Sequence, residues 1–80
     1  MTESVFQKVA AIIADSKKIS AESISLETTF KELEIDSLEA LSLIYDFEDA
    51  FNVELSNEEA ITIQTVRDAV ESLERLGVAA

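Results

Sequence analysis

The chain has no cysteine, no histidine, no proline and no tryptophan, a single glycine, and six basic residues against seventeen acidic ones. Without cysteine or histidine it can form neither a disulfide nor a thiolate or imidazole metal site, so packing alone must stabilise it. The same absence removes the Ser-His and Cys-His nucleophile pairs. Carboxylate-pair catalysis needs a substrate cleft walled by low-dielectric surface, which an 80-residue chain can seldom supply, so a free-standing enzyme is not expected. A formal charge of −11 repels phosphate backbones and anionic lipid surfaces, which makes nucleic acid and membrane poor partners. No basic segment leads into an apolar run after Met1-Thr2-Glu3-Ser4, and no stretch approaches the ~18 apolar residues of a span. The cytoplasm is the expected compartment. No D-x-[DN]-x-[DN]-G loop occurs, which argues against a calcium module.

What is present is 48% hydrophobic residues, enough for one small core, and no composition shift that would divide residues 1–80 into more than one domain. Val5, Phe6, Val9, Ala10, Ile12 and Ile13 recur with a helical period and predict a first helix over about 3–16, with Lys17 and Lys18 suited to its negative C-terminal end. From Ile19 to Ile35 the pattern weakens into an ordered connection. Ile24, Leu26, Phe30 and Leu33 are expected to pin it to the core, with a short turn of helix around Phe30 to Leu33. Three later helix starts are marked by a capping residue with an acid three positions on: Asp36 with Glu39, Ser56 with Glu59, and Thr65 with Asp68. Helices are therefore predicted at about 37–51, 57–62 and 66–76, with Gly77 at the final C-cap. The fold class is all-α: a four-helix bundle with a long loop between helices 1 and 2 and a short helix 3.

The second helix carries most of the information. At about 100° per residue, Ala40, Leu43, Ile44, Phe47, Ala50 and Phe51 form one broad core-facing stripe. Leu38, Leu41 and Tyr45 fall outside it, in a second stripe bordered by Glu48 on one side and by Ser42, Asp46 and Asp49 on the other. This stripe covers the long connection or is a docking surface, and the two readings can share residues. Charge favours docking, because ten carboxylates and no Lys or Arg lie between Glu32 and Val66. An acidic rim around apolar anchors steers a basic partner into register.

Of the nine serines, Ser37 stands out by position. It follows the expected N-cap Asp36, so an anionic group on its hydroxyl would lie beside free amides and the positive dipole end of a helix. Asp-Ser-Leu-Glu by itself is no more than a good helix start.

Its surroundings say more. Leu33-Glu34-Ile35-Asp36-Ser37-Leu38-Glu39-Ala40-Leu41 resembles the attachment segment of the acyl carrier proteins, commonly written LG-x-DSL. The resemblance continues through Phe47-Glu48-Asp49-Ala50-Phe51-Asn52-Val53-Glu54-Leu55 and Ile63-Gln64-Thr65-Val66-Arg67-Asp68-Ala69-Val70, nearly the whole chain. It implies that Ser37 accepts 4′-phosphopantetheine from coenzyme A, through a separate holo-synthase or phosphopantetheinyl transferase that normally requires magnesium. The arm's thiol then carries acyl intermediates as thioesters to the enzymes of fatty acid, specialised lipid or polyketide synthesis. Asp36 and Leu38 match residues beside the prosthetic group. Glu39, Leu41, Tyr45, Glu48 and Asp49 form the implied partner-binding set, facing basic docking surfaces on acyltransferases, ketosynthases or an acyl-carrier ligase. A folded-back acyl chain would be expected among Phe30, Leu33, Leu43, Phe47, Ile63 and Val66. The family precedent implies a monomer, and Met1 with short tails suggests a free chain rather than a fused one.

Two departures from the pattern stand out. Glu34 replaces the glycine usual before the motif, so a positive φ there would be held at an energetic cost. Ser42 stands where the common fatty-acid-synthesis carriers have a docking carboxylate. Both favour a specialised carrier over a housekeeping one. The alternatives are an aminoacyl or peptidyl carrier, against which Asp36 argues because such carriers more often have histidine there, and an acidic helical adaptor in which Ser37 only starts a helix.

Overall fold

The computed structural model describes residues 4–77. Ser4 caps α1 (Val5–Lys17) through a reciprocal pair: its hydroxyl accepts from the Gln7 amide at 3.1 Å, and its own amide donates to Gln7 Oε1 at 2.9 Å. The cap is extended, so the helix begins at Val5 and not at the expected Glu3, which lies outside the described residues. It ends where Lys18 turns left-handed, φ 58°, and donates its amide back to Ala14. Lys17 lies in the last turn, as expected of a cation at this end, and its ammonium also reaches across to Glu39.

All three expected caps form. The Glu39 amide donates to Asp36 at 2.8 Å and opens α2 (Ser37–Phe51); the Glu59 amide donates to Ser56 at 3.1 Å and opens α3 (Asn57–Thr62); the Asp68 amide donates to Thr65 at 3.0 Å and opens α4 (Val66–Arg75). α4 stops one residue before the expected Leu76, which is its C-cap, and Gly77 follows with φ 87°, the conformation glycine takes without strain.

α1 packs most extensively against α4 and then against α2. Val9 and Ile13 from α1, Leu43 and Phe47 from α2, and Val66 and Leu73 from α4 are completely buried. Each such side chain contributes about 1.5–3 kcal/mol of transfer free energy. The second-helix stripe is narrower than the periodicity implies: Leu43, Ile44 and Phe47 are buried and Ala40 and Phe51 half-buried, but Ala50 is exposed. α3 has no fully buried residue.

The long connection is ordered, as its apolar residues require. Ile24 and Phe30 are buried and Leu26 and Leu33 half-buried, after a short 3-10 turn at Ala21–Ser23 that periodicity does not signal. Its second half lies alongside the α3–α4 linker: the Phe30 amide donates to Gln64 at 2.9 Å, Val66 to Thr28 at 2.9 Å, and Arg67 to Leu26 at 3.0 Å. The helical turn expected at Phe30 to Leu33 is one hydrogen-bonded turn that does not propagate. It closes as a Schellman motif, with Ile35 donating to the Phe30 carbonyl and Glu34 to that of Lys31, both at 3.0 Å. The left-handed position of that motif is Glu34, with φ 59°. The strain expected of a glutamate in this place is therefore present in the backbone.

Candidate functional site

The Schellman turn delivers the chain to Asp36, whose carboxylate is spent on the Glu39 amide. Ser37, the first helical residue of α2, is exposed. The amides of Ser37 and Leu38 belong to the first turn and have no carbonyl four residues back to bond within the helix. The start of α2 is held to the end of α1 by Lys17, which donates to both Glu39 oxygens, at 3.0 and 3.2 Å, with both residues half-buried. Glu39 is therefore engaged by Lys17 within the fold.

Ser37 lies on the lip of an open cleft of about 700 Å³ between the long connection, the first turn of α2 and the α3–α4 linker. Phe30, Ile35, Ala40 and Ile63 give it apolar walls, and Lys31, Glu34, Asp36 and Gln64 are polar residues along it. Of the six residues expected to form an acyl pocket, Phe30 and Ile63 line this cleft. Leu43, Phe47 and Val66 are fully buried in the packed core, and Leu33 is half-buried against it. Sequence reasoning missed Ile35, Ala40 and Lys31 as cleft residues. Ala40 carried a signal, since a small residue one turn beyond Ser37 leaves room beside it.

The second stripe of α2 is open to solvent: Leu38 is 77% exposed, Tyr45 63% and Leu41 44%. At these exposures Leu38 and Tyr45 do not serve to cover the long connection. Around it, Glu48 is half-buried and accepts from the Leu55 amide at 2.7 Å, bracing the α2–α3 loop, whereas Asp46 and Asp49 are exposed. Another large apolar side chain, Ile61 on α3, is 76% exposed and was not anticipated. Its signal was its place between the half-buried Ala60 of a very short helix and the buried C-cap Ile63.

Residues 7–73 match the family described as a phosphopantetheine attachment site. The chain is 43% identical over 70 residues to the acyl carrier proteins of Lactococcus lactis subsp. cremoris and subsp. lactis, covering 88% of this chain and 93% of theirs. The chain belongs to the acyl carrier protein family. Among solved structures, the acyl carrier protein from Enterococcus faecalis superposes with a TM-score of 0.77 at 34% identity over 90% of this chain and 92% of that one. That from Thermotoga maritima gives 0.75 at 30% identity over 86% and 81%. The carrier bears a covalently attached 4′-phosphopantetheine and works with a phosphopantetheinyl transferase and with enzymes of acyl synthesis. Among the described residues no helix is long and apolar enough to cross a membrane.

Proposed function

We propose that Ser37 is the residue that bears the arm and that the outer face of α2 presents it to partner enzymes. The observation that carries this reading is the placement of an exposed Ser37 at the mouth of a cleft, one residue before the exposed Leu38. The Ser37 hydroxyl takes the phosphopantetheinyl group from coenzyme A: its oxygen bonds to phosphorus, the pyrophosphate bond breaks, adenosine 3′,5′-bisphosphate leaves, and the serine proton passes to a base of the transferase. The arm supplies the thiol on which the acyl group rides as a thioester, and this chain has no thiol of its own. Asp36 fixes the first turn through the Glu39 amide, and Lys17 fixes Glu39, so the hydroxyl sits on a rigid element.

Leu38, Leu41 and Tyr45 are the apolar anchors, and Asp46 and Asp49 are the free acids beside them, which meet Arg or Lys of acyltransferases, ketosynthases or an acyl-carrier ligase. Glu48 adds charge to this rim while bracing Leu55. The carrier contributes delivery and no catalysis, in keeping with a chain that has neither histidine nor cysteine. Its workplace is the cytoplasm, where coenzyme A is at hand. Ser42 in place of a docking carboxylate suits a specialised lipid or polyketide route. The test is acylation: a labelled acyl group transferred onto the loaded parent should be released by hydroxylamine. Label retained on Ser37→Ala, or resistant to hydroxylamine on the parent, would overturn the reading.

A further inference from the structure

The cleft beside Ser37 has an uneven charge pattern. Glu34 and Asp36 both line it, so a phosphodiester on Ser37 would stand near two carboxylates, and Lys31 is the one cation among the lining residues. Lys31 has no ion-pair partner among the described residues and its side chain is exposed, so the ammonium is available. Its backbone is fixed: its carbonyl accepts the Glu34 amide inside the Schellman turn, and the turn's other bond, Ile35 to Phe30, folds the following residues back toward it. The first turn of α2 thus follows directly from the segment that holds Lys31.

Resting on the reading of Ser37 above, we propose that Lys31 holds the phosphodiester of the arm at the mouth of the cleft. The arm then lies along the cleft, between the long connection and the α3–α4 linker, and not along the outer face of α2. The cleft suits such an occupant. Phe30, Ile35, Ala40 and Ile63 offer apolar wall, and Gln64, whose side chain makes no hydrogen bond among the described residues, offers a polar partner to the amides of the arm. An exposed lysine on a phosphodiester is a modest attraction weakened by salt, so the arm is held reversibly and released when a basic partner supplies competing cations.

The absence of cysteine makes the test direct, because the arm's thiol is the only thiol in the loaded protein. The carrier is loaded from coenzyme A, checked by intact mass, and labelled at that thiol with a nitroxide; paramagnetic broadening of backbone amides is then measured. Amides of Phe30, Ile63 and Gln64 should broaden more than those of Leu41 and Tyr45. Lys31→Gln should reduce this preference about two- to threefold, as loss of an exposed ion pair allows. Lys31→Arg should keep it, and so should Lys18→Gln, which removes an exposed lysine outside the cleft. High salt on the parent should reproduce the Lys31→Gln result. An arm missing from the parent, or present on Ser37→Ala, overturns the attachment reading and this proposal together. An arm on Ser37 whose position ignores Lys31→Gln, or which follows Leu41 and Tyr45 from the start, overturns this proposal alone.

Discussion

Replacing Glu34 with glycine should raise the melting temperature, because Glu34 holds φ 59° at the left-handed position of the Schellman turn that leads into Ser37. An L residue in that region carries roughly 1–2 kcal/mol of strain, and glycine carries none. Glycine gives back about 0.4–1 kcal/mol through its greater freedom in the unfolded chain. The net is a gain of about 0.5–1 kcal/mol, which for a domain of this size corresponds to roughly 2–8 °C. Glu34 is exposed and makes no side-chain hydrogen bond among the described residues, so little is lost with the carboxylate. Its charge is the complication, since removing one of seventeen acids from a −11 chain also stabilises. Glu34→Gln removes the charge and keeps the strain; Glu34→Asn removes the charge and fits the left-handed region better. Thermal unfolding followed by circular dichroism, at high salt to screen the charge, should rank glycine first, then asparagine, then glutamine close to the parent. Glutamine equal to glycine would refute the strain argument.

The Lys17–Glu39 pair should show a coupling of about 1 kcal/mol in a double-mutant cycle of alanine variants measured by urea unfolding, and strictly additive losses would mean that the contact contributes nothing. Added monovalent salt or divalent cations should raise the melting temperature of a chain with ten carboxylates and no base between Glu32 and Val66; a temperature insensitive to salt would count against self-repulsion. Leu38→Ala, Leu41→Ala and Tyr45→Ala should each change stability by less than about 0.5 kcal/mol while lowering kcat/KM of an acyl-transferring partner, and a large stability loss would show that the stripe is packed in solution.

The caps at Asp36, Ser56 and Thr65 and the buried positions Leu43, Ile44 and Phe47 were legible in the sequence because both signals are local: a side chain bonds an amide three residues on, and a helical period selects a face. Ala50 was misplaced because periodicity does not say where a neighbouring helix ends, and the last turn of α2 is only partly covered. The lateral commitments of the acids were not legible. Glu39 pairs with a lysine 22 residues away and Glu48 braces Leu55 across a loop, contacts that spacing on one helix cannot express. The cleft was partly legible through Phe30 and Ile63, whereas Ile35, Ala40 and Lys31 join it only through pairing of the long connection with the α3–α4 linker. Leu43, Phe47 and Val66 lie fully buried in the core. The positive φ at Glu34 followed from the resemblance, since nothing in the local residue pattern asks for it.

The most direct measurement is intact-mass spectrometry of the parent and of Ser37→Ala after incubation with coenzyme A, magnesium and a broad-specificity phosphopantetheinyl transferase. One phosphopantetheinyl mass gain on the parent and none on the variant is the expected result. A gain on both, or on neither while a control carrier is modified in the same tube, would contradict the assignment of Ser37 as the residue that bears the arm.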